Sequence, residues 1–159
     1  MADREGVVIL IAEDDEGHMA LITRNLKRAG LANPIITFKD GRETLDFLMY
    51  RGDGPHRAHG AQYLLLLDIR LPRVDGIEVL RQLKKDEELR KLPVIIITTT
   101  DDPREVDECY KLGCSSYITK PVDYEKFVEV IKKLGLFLLV VKVPKIYGGT
   151  DHGEENTKK

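Results

Sequence analysis

The run Tyr63-Leu64-Leu65-Leu66-Leu67 stops at Asp68, and this junction restricts the fold more than any other part of the chain. An unbroken apolar run of this length, with no polar alternation, suits a strand buried on both faces, as strands are in a parallel sheet. A carboxylate directly after such a strand stands at its C-terminal edge, where open α/β sheets bind ligands. Two other short runs also end in polar groups: Val7-Val8-Ile9-Leu10-Ile11-Ala12 precedes Glu13-Asp14-Asp15, and Val94-Ile95-Ile96-Ile97 precedes Thr98-Thr99-Thr100. Three strands that deliver acids and a hydroxyl to one edge make a candidate site.

The rest of the chain repeats the pattern. Strands are predicted at Val7 to Ala12, Ile35 to Phe38, Tyr63 to Leu67, Val94 to Thr98 and Ser115 to Thr119. Between and after them, apolar residues recur at helical spacing: Met19/Ile22/Leu26, Leu45/Leu48/Met49, Val79/Leu80/Leu83, Val106/Cys109/Tyr110 and Phe127/Val130/Ile131/Leu134. Asp40, Asp75 and Asp102 are each followed three residues later by Glu, the pattern of a capping box. Pro103 falls at a first helical position, where its missing N–H costs nothing. Gly30 and Gly113 fall where helices should stop. A (βα)5 alternation implies a doubly wound parallel sheet with right-handed crossovers and helices on both faces.

Two segments break the repeat. Residues 51–62 form a long polar loop with three glycines, Pro55, His56 and His59. The stretch Leu136 to Val143 is apolar and β-prone, and Pro144 closes it. It is predicted to be an extended C-terminal arm over 135–147 that crosses to a second subunit and serves dimerisation, the alternative being that it folds back over its own subunit, following a body of residues 1–134. Residues 148–159 are polar and are predicted to be disordered.

Of the 159 residues, 25 are basic and 27 acidic, for a net charge of -2, which leaves no electrostatic footprint for nucleic acid. The cluster Lys84-Lys85-Asp86-Glu87-Glu88 mixes both signs and reads as a solvated helix face. No apolar stretch approaches the roughly 18 residues that span a bilayer, and the N-terminus does not resemble a signal peptide. Cys109 and Cys114 lack metal or redox spacing and read as reduced thiols, consistent with a cytoplasmic protein. His18 reads as a helix-surface residue.

Glu13, Asp14 and Asp68 would bring two or three carboxylates into one crevice. Their repulsion is relieved by a shared cation, and an all-oxygen donor set suits Mg²⁺. Asp15 lies where the first helix begins and is assigned as its cap. Lys120-Pro121 follows the fifth strand, so Lys120 would offer a point charge to an added phosphoryl oxygen. Thr98 would present its hydroxyl at the same edge.

These residues carry a resemblance. Glu13-Asp14, Asp68 followed by Leu71-Pro72 and Asp75-Gly76, Thr98, and Lys120-Pro121 occur in the order of the receiver domain of bacterial two-component response regulators. The resemblance runs from about Val7 to Leu134. It implies a flavodoxin-like sheet in the order 2-1-3-4-5, with Asp68 as phospho-acceptor. It implies a Mg²⁺ site from Glu13, Asp14, Asp68 and the Arg70 backbone carbonyl, with Thr98 and Lys120 on the phosphoryl oxygens. Tyr117 matches the aromatic that swings inward on phosphorylation, and the Lys120–Pro121 peptide matches the family's cis bond. Arg70 and Thr99 are bulkier than the residues usual at their positions, which bears on access of water to an aspartyl phosphate.

The partner so implied is a sensor histidine kinase, and the only catalysis is the domain's own phosphorylation and dephosphorylation. The 51–62 loop, Leu92-Pro93 and Thr98-Thr99 are similar to regulators paired with bacterial and cyanobacterial phytochromes. With no further domain predicted, DNA, like a membrane, is not an expected partner, whereas a homodimer is. A haloacid dehalogenase-type phosphatase also uses an Asp after an apolar strand, but it needs a second acid where this chain has Arg70. A phosphorylation-independent interaction module is the other alternative. His56 and His59 have no further ligands nearby to make a metal site.

Overall fold

Backbone pairing lays five strands side by side, all parallel, in the order β2 (Ile35–Phe38), β1 (Val7–Ala12), β3 (Ala61–Leu67), β4 (Val94–Thr98) and β5 (Ser116–Thr119). The computed structural model describes residues 6–148. The helices are α1 (Glu16–Arg28), α2 (Gly41–Leu48), α3 (Gly76–Lys85), α4 (Pro103–Leu112) and α5 (Tyr124–Leu138), and a single 3₁₀ turn spans Leu89–Lys91. None of the described helices is long and apolar enough to cross a membrane.

The unbroken apolar runs are explained by what lies on either side of the sheet. Successive side chains of a strand point to opposite faces. Leu10, Leu65, Leu67 and Ile96 join α2, α3 and α4 in one core through Leu45, Leu48, Leu80, Leu83 and Cys109. Ile9, Ile11, Leu64, Leu66, Ile95 and Ile97 join α1 and α5 in the other, against Ile22, Leu26, Phe127 and Ile131. A strand that feeds two cores has no position for a polar residue until it leaves the sheet.

Aspartates cap the helices as the sequence predicts. Asp40 accepts from the Glu43 N–H, Asp75 from Glu78 and Asp102 from Arg104, and Asp15 accepts from His18 at the start of α1. The reciprocal half of the capping box is partly diverted. Glu43 accepts from the Lys39 N–H, one residue before the cap, whereas Glu78 binds Arg81 and Gln82, and Glu105 binds Arg70. Gly113 closes α4 in the left-handed conformation at φ 107°.

The C-terminal region differs from the expected arm. The α5 helix continues through Leu138, because Leu134 and Leu138 extend the buried stripe of Phe127 and Ile131, a spacing concealed within a run of apolar residues. A side chain at Gly135 would meet Ala29 Cβ at 2.7 Å, so a bare backbone lets α5 lie close against the end of α1. After a turn the chain folds back on its own body, where β6 (Lys145–Ile146) pairs antiparallel with the start of β3. Arg57, almost fully buried, donates to the carbonyls of Leu48, Ile146 and Tyr147 at 2.8, 3.4 and 3.0 Å, and so ties the 51–62 loop to this segment. Of the predicted disordered tail, 149–159 lie outside the described residues.

Candidate functional site

The register places the functional groups at one edge. Ala12 aligns with Leu67, and Leu67 with Ile96, so Glu13 and Asp68 follow neighbouring strand ends. The Asp68 N–H donates to the Ala12 carbonyl at 3.1 Å, which fixes the two acids side by side. Thr98 pairs with Thr119, and the Lys120 N–H continues this ladder by donating to the Thr98 carbonyl at 2.6 Å. The Lys120–Pro121 peptide is trans rather than cis; the one cis bond among the described residues is Gly54–Pro55.

Lys120 crosses the crevice to reach both acids. Its Nζ lies 2.5 Å from Glu13 Oε1 and 2.9 Å from Asp68 Oδ2, and all three side chains are buried. Burial is the largest influence on Glu13 and pushes its carboxyl up to about 7, with Lys120 opposing and the Asp68 charge adding to the rise. The other Glu13 oxygen accepts from the Asp15 N–H at 3.0 Å, and Asp68 Oδ1 accepts from the Arg70 N–H at 3.2 Å. Two buried acids thus share one buried cation, an arrangement that depends on keeping all three partners.

Thr98 is the fourth group. It is fully buried, and its hydroxyl has no hydrogen-bond partner in the protein. Such an orphan costs about 1–3 kcal/mol in desolvation, so it marks a position that suits a group added later. Asp14 and Thr99 are exposed at the rim. Tyr117 is partly buried, with its hydroxyl donating to the Thr100 carbonyl at 2.8 Å, and burial raises its pKa to about 12. Arg70 turns its guanidinium to Glu105 in the first turn of α4, at 3.1 Å.

One contributor was missed by the sequence reading. His18 lies on α1, but its Nδ1 is 3.1 Å from Lys120 Nζ and 3.9 Å from Glu13 Oε2, so it borders the site instead of facing only solvent. Its position three residues after the Asp15 cap was the available signal: a first-turn residue directly after a strand edge points back over that edge.

The donor set fits a hard divalent ion, since Glu13, Asp14 and Asp68 offer oxygen alone. In this state the lysine serves as the shared cation, and no three acidic, His or Cys side chains among the described residues converge on a common point. A metal ion would therefore be held by Glu13, Asp14 and Asp68 after Lys120 gives way.

The family model described as the response regulator receiver domain matches residues 9–132. The chain belongs to that family. Among solved receivers, one from Rhodospirillum rubrum is 45% identical, covering 89% of this chain and 99% of that one with a TM-score of 0.83. The Mn²⁺-bound form of the response regulator Rcp1, a Synechocystis protein, is 30% identical over 86% of this chain and 98% of its own, with a TM-score of 0.78. The phosphorylated cyanobacterial phytochrome response regulator RcpA is 28% identical over 86% and 97%, with a TM-score of 0.76. The receiver fold, its strand order and its likeness to phytochrome-associated regulators accord with what the sequence implied.

Proposed function

We propose that this receiver accepts a phosphoryl group from the phosphohistidine of a sensor histidine kinase onto Asp68. The observation that carries this reading is Lys120 bound to Asp68 at 2.9 Å, beside a buried Thr98 hydroxyl that lacks a partner. An Asp68 oxygen forms the bond to phosphorus as the P–N bond breaks, and the electron pair departs with the imidazole. Glu13, Asp14, Asp68 and the Arg70 carbonyl would hold Mg²⁺, which when bound would neutralise charge on the transferring group. Lys120 moves from the Asp68 carboxylate to a phosphoryl oxygen. Thr98 then donates its hydroxyl to another, gaining the partner it lacks at rest. That inward pull acts on the β4–α4 connection, where Tyr117 is anchored to the Thr100 carbonyl. Exposed Thr99 limits the approach of water.

Asp68→Asn should abolish labelling by acetyl phosphate with Mg²⁺ while circular dichroism stays unchanged. Labelling of that variant at the wild-type rate would overturn the assignment.

A phytochrome-type kinase is the proposed partner, supported by the likeness to RcpA, and the proposed setting is the cytoplasm without nucleic acid or membrane ligands. A homodimer is supported by Leu136, Phe137 and Val140, which stay 59%, 48% and 73% exposed at the end of α5, and by Tyr110 and Tyr124 on α4 and α5. In this reading the exposed residues of 135–147, a stretch that otherwise packs on the 1–134 body, contribute the dimer face. Val140→Asp should then shift light scattering from dimer to monomer at micromolar concentration, and a wild-type protein that is monomeric with and without beryllofluoride would eliminate the dimer.

A further inference from the structure

His18 is held in place twice. Its backbone N–H donates to Asp15 Oδ1 at 2.9 Å, and its ring stands edge-on to Phe127 of α5, with centroids 5.4 Å apart and planes at 79°. This fixes the ring with Nδ1 3.1 Å from Lys120 Nζ. An ammonium has three hydrogens to donate, and the acceptors here number three: Glu13 Oε1, Asp68 Oδ2 and His18 Nδ1. For Nδ1 to accept, the ring proton must sit on Nε2.

The three acceptors differ in what they do next. Glu13 turns to the cation, and Asp68 becomes bonded to phosphorus. Only the imidazole is an acceptor throughout.

We propose that His18 is a positioning residue for Lys120, a neutral acceptor that keeps the ammonium at the mouth of the site while both carboxylates change partners. The inference rests on Asp68 being the phospho-acceptor. The lysine stem has four rotatable carbons, so its terminal charge goes where its acceptors are. Without His18 the ammonium has only the two acids, and it settles between them. A cation must then displace it from both, and it reaches the incoming phosphoryl oxygen less often.

Two substitutions in the full chain separate the acceptor from the ring. His18→Phe keeps the edge contact with Phe127 and removes the acceptor, while His18→Asn keeps a short-chain acceptor and removes the ring. Labelling by acetyl phosphate is measured together with Mg²⁺ affinity by calorimetry in the absence of any phosphoryl donor. Loss of a hydrogen bond to a charged group predicts labelling about ten-fold slower in His18→Phe, with weaker Mg²⁺ binding, and His18→Asn within about two-fold of wild type in both. If His18→Phe melts below wild type, His18→Leu supplies the acceptor-free variant. Wild-type labelling and Mg²⁺ affinity in the acceptor-free variant, or equal losses in it and His18→Asn, would overturn the proposal. Asp68→Asn is run alongside: its labelling would refute the acceptor assignment itself, so the two failures are distinguishable.

Discussion

Gly76→Ala is the substitution that most directly couples stability to the site. Gly76 opens α3, and a Cβ there would sit 2.2 Å from the Asp68 carbonyl oxygen and 2.7 Å from Ile69 Cα. Ordinary contact begins at 3.4 Å, so the methyl group is more than an ångström too close to backbone on the strand end that carries Asp68. Neither neighbour is the flexible tip of a side chain, and α3 is held there by the Gly76 N–H donating to the Ile69 carbonyl at 2.8 Å. Relief must come from moving the helix or the strand end. Alanine's better helix propensity returns up to about 1 kcal/mol. The overpacking outweighs it, for a net cost of about 2–4 kcal/mol. For a chain of this size that lowers the melting temperature by roughly 5–15 °C. Because the displaced atoms belong to Asp68 and Ile69, labelling by acetyl phosphate should fall even at temperatures where the variant is fully folded. Gly41→Ala is the control: its Cβ would strike the Val74 carbonyl, so it should cost stability while labelling per folded molecule is spared. A Gly76→Ala protein that melts within about 2 °C of wild type and labels normally would refute this account of the β3–α3 connection.

Thr98→Val removes the unpartnered buried hydroxyl, so the resting protein should gain about 1 kcal/mol in urea denaturation while any phosphorylation-dependent change in partner affinity or oligomeric state is lost. Glu13 carries a folded-state pKa raised from 4.5 to about 7, so its contribution to stability is fully present below pH 4.5 and is lost as pH rises toward 7. In chelator, stability should therefore fall by about 1–3 kcal/mol across that window, and Glu13→Gln should flatten the slope. Arg57→Ala removes three donations to backbone carbonyls, two of them to the C-terminal segment, and should cost about 2–4 kcal/mol and speed hydrogen exchange at Tyr147, whose amide is bound to Glu88.

What could be read from the chain was whatever depends on short-range pattern. Leu64 to Leu67 with Asp68 announced a two-faced strand and its edge, and Asp40, Asp75 and Asp102 announced helix starts, because caps act over three residues. The end of α5 could not be read this way: in Leu134-Gly135-Leu136-Phe137-Leu138 every position is apolar or Gly, so no periodicity separates Leu138, which is buried, from Leu136, which is exposed. The partners of His18 and Arg57 were hidden for a different reason. Each polar group is defined by partners far away in sequence, Lys120 for one and Ile146 and Tyr147 for the other, and only tertiary packing brings these together.

The short β6 ladder has a practical consequence for engineering. Val7 aligns with Gln62 on one side of β3, and Ile146 with Ala61 on the other, so residues 7 and 146 are about two strand spacings, roughly 10 Å, apart. Both lie at the end of β3 away from Asp68, about 20 Å along the strand. A few added residues would join these points into a circular permutant. Reporter groups attached near both would sit within energy-transfer range of each other without crowding the edge that carries Asp68 and Lys120.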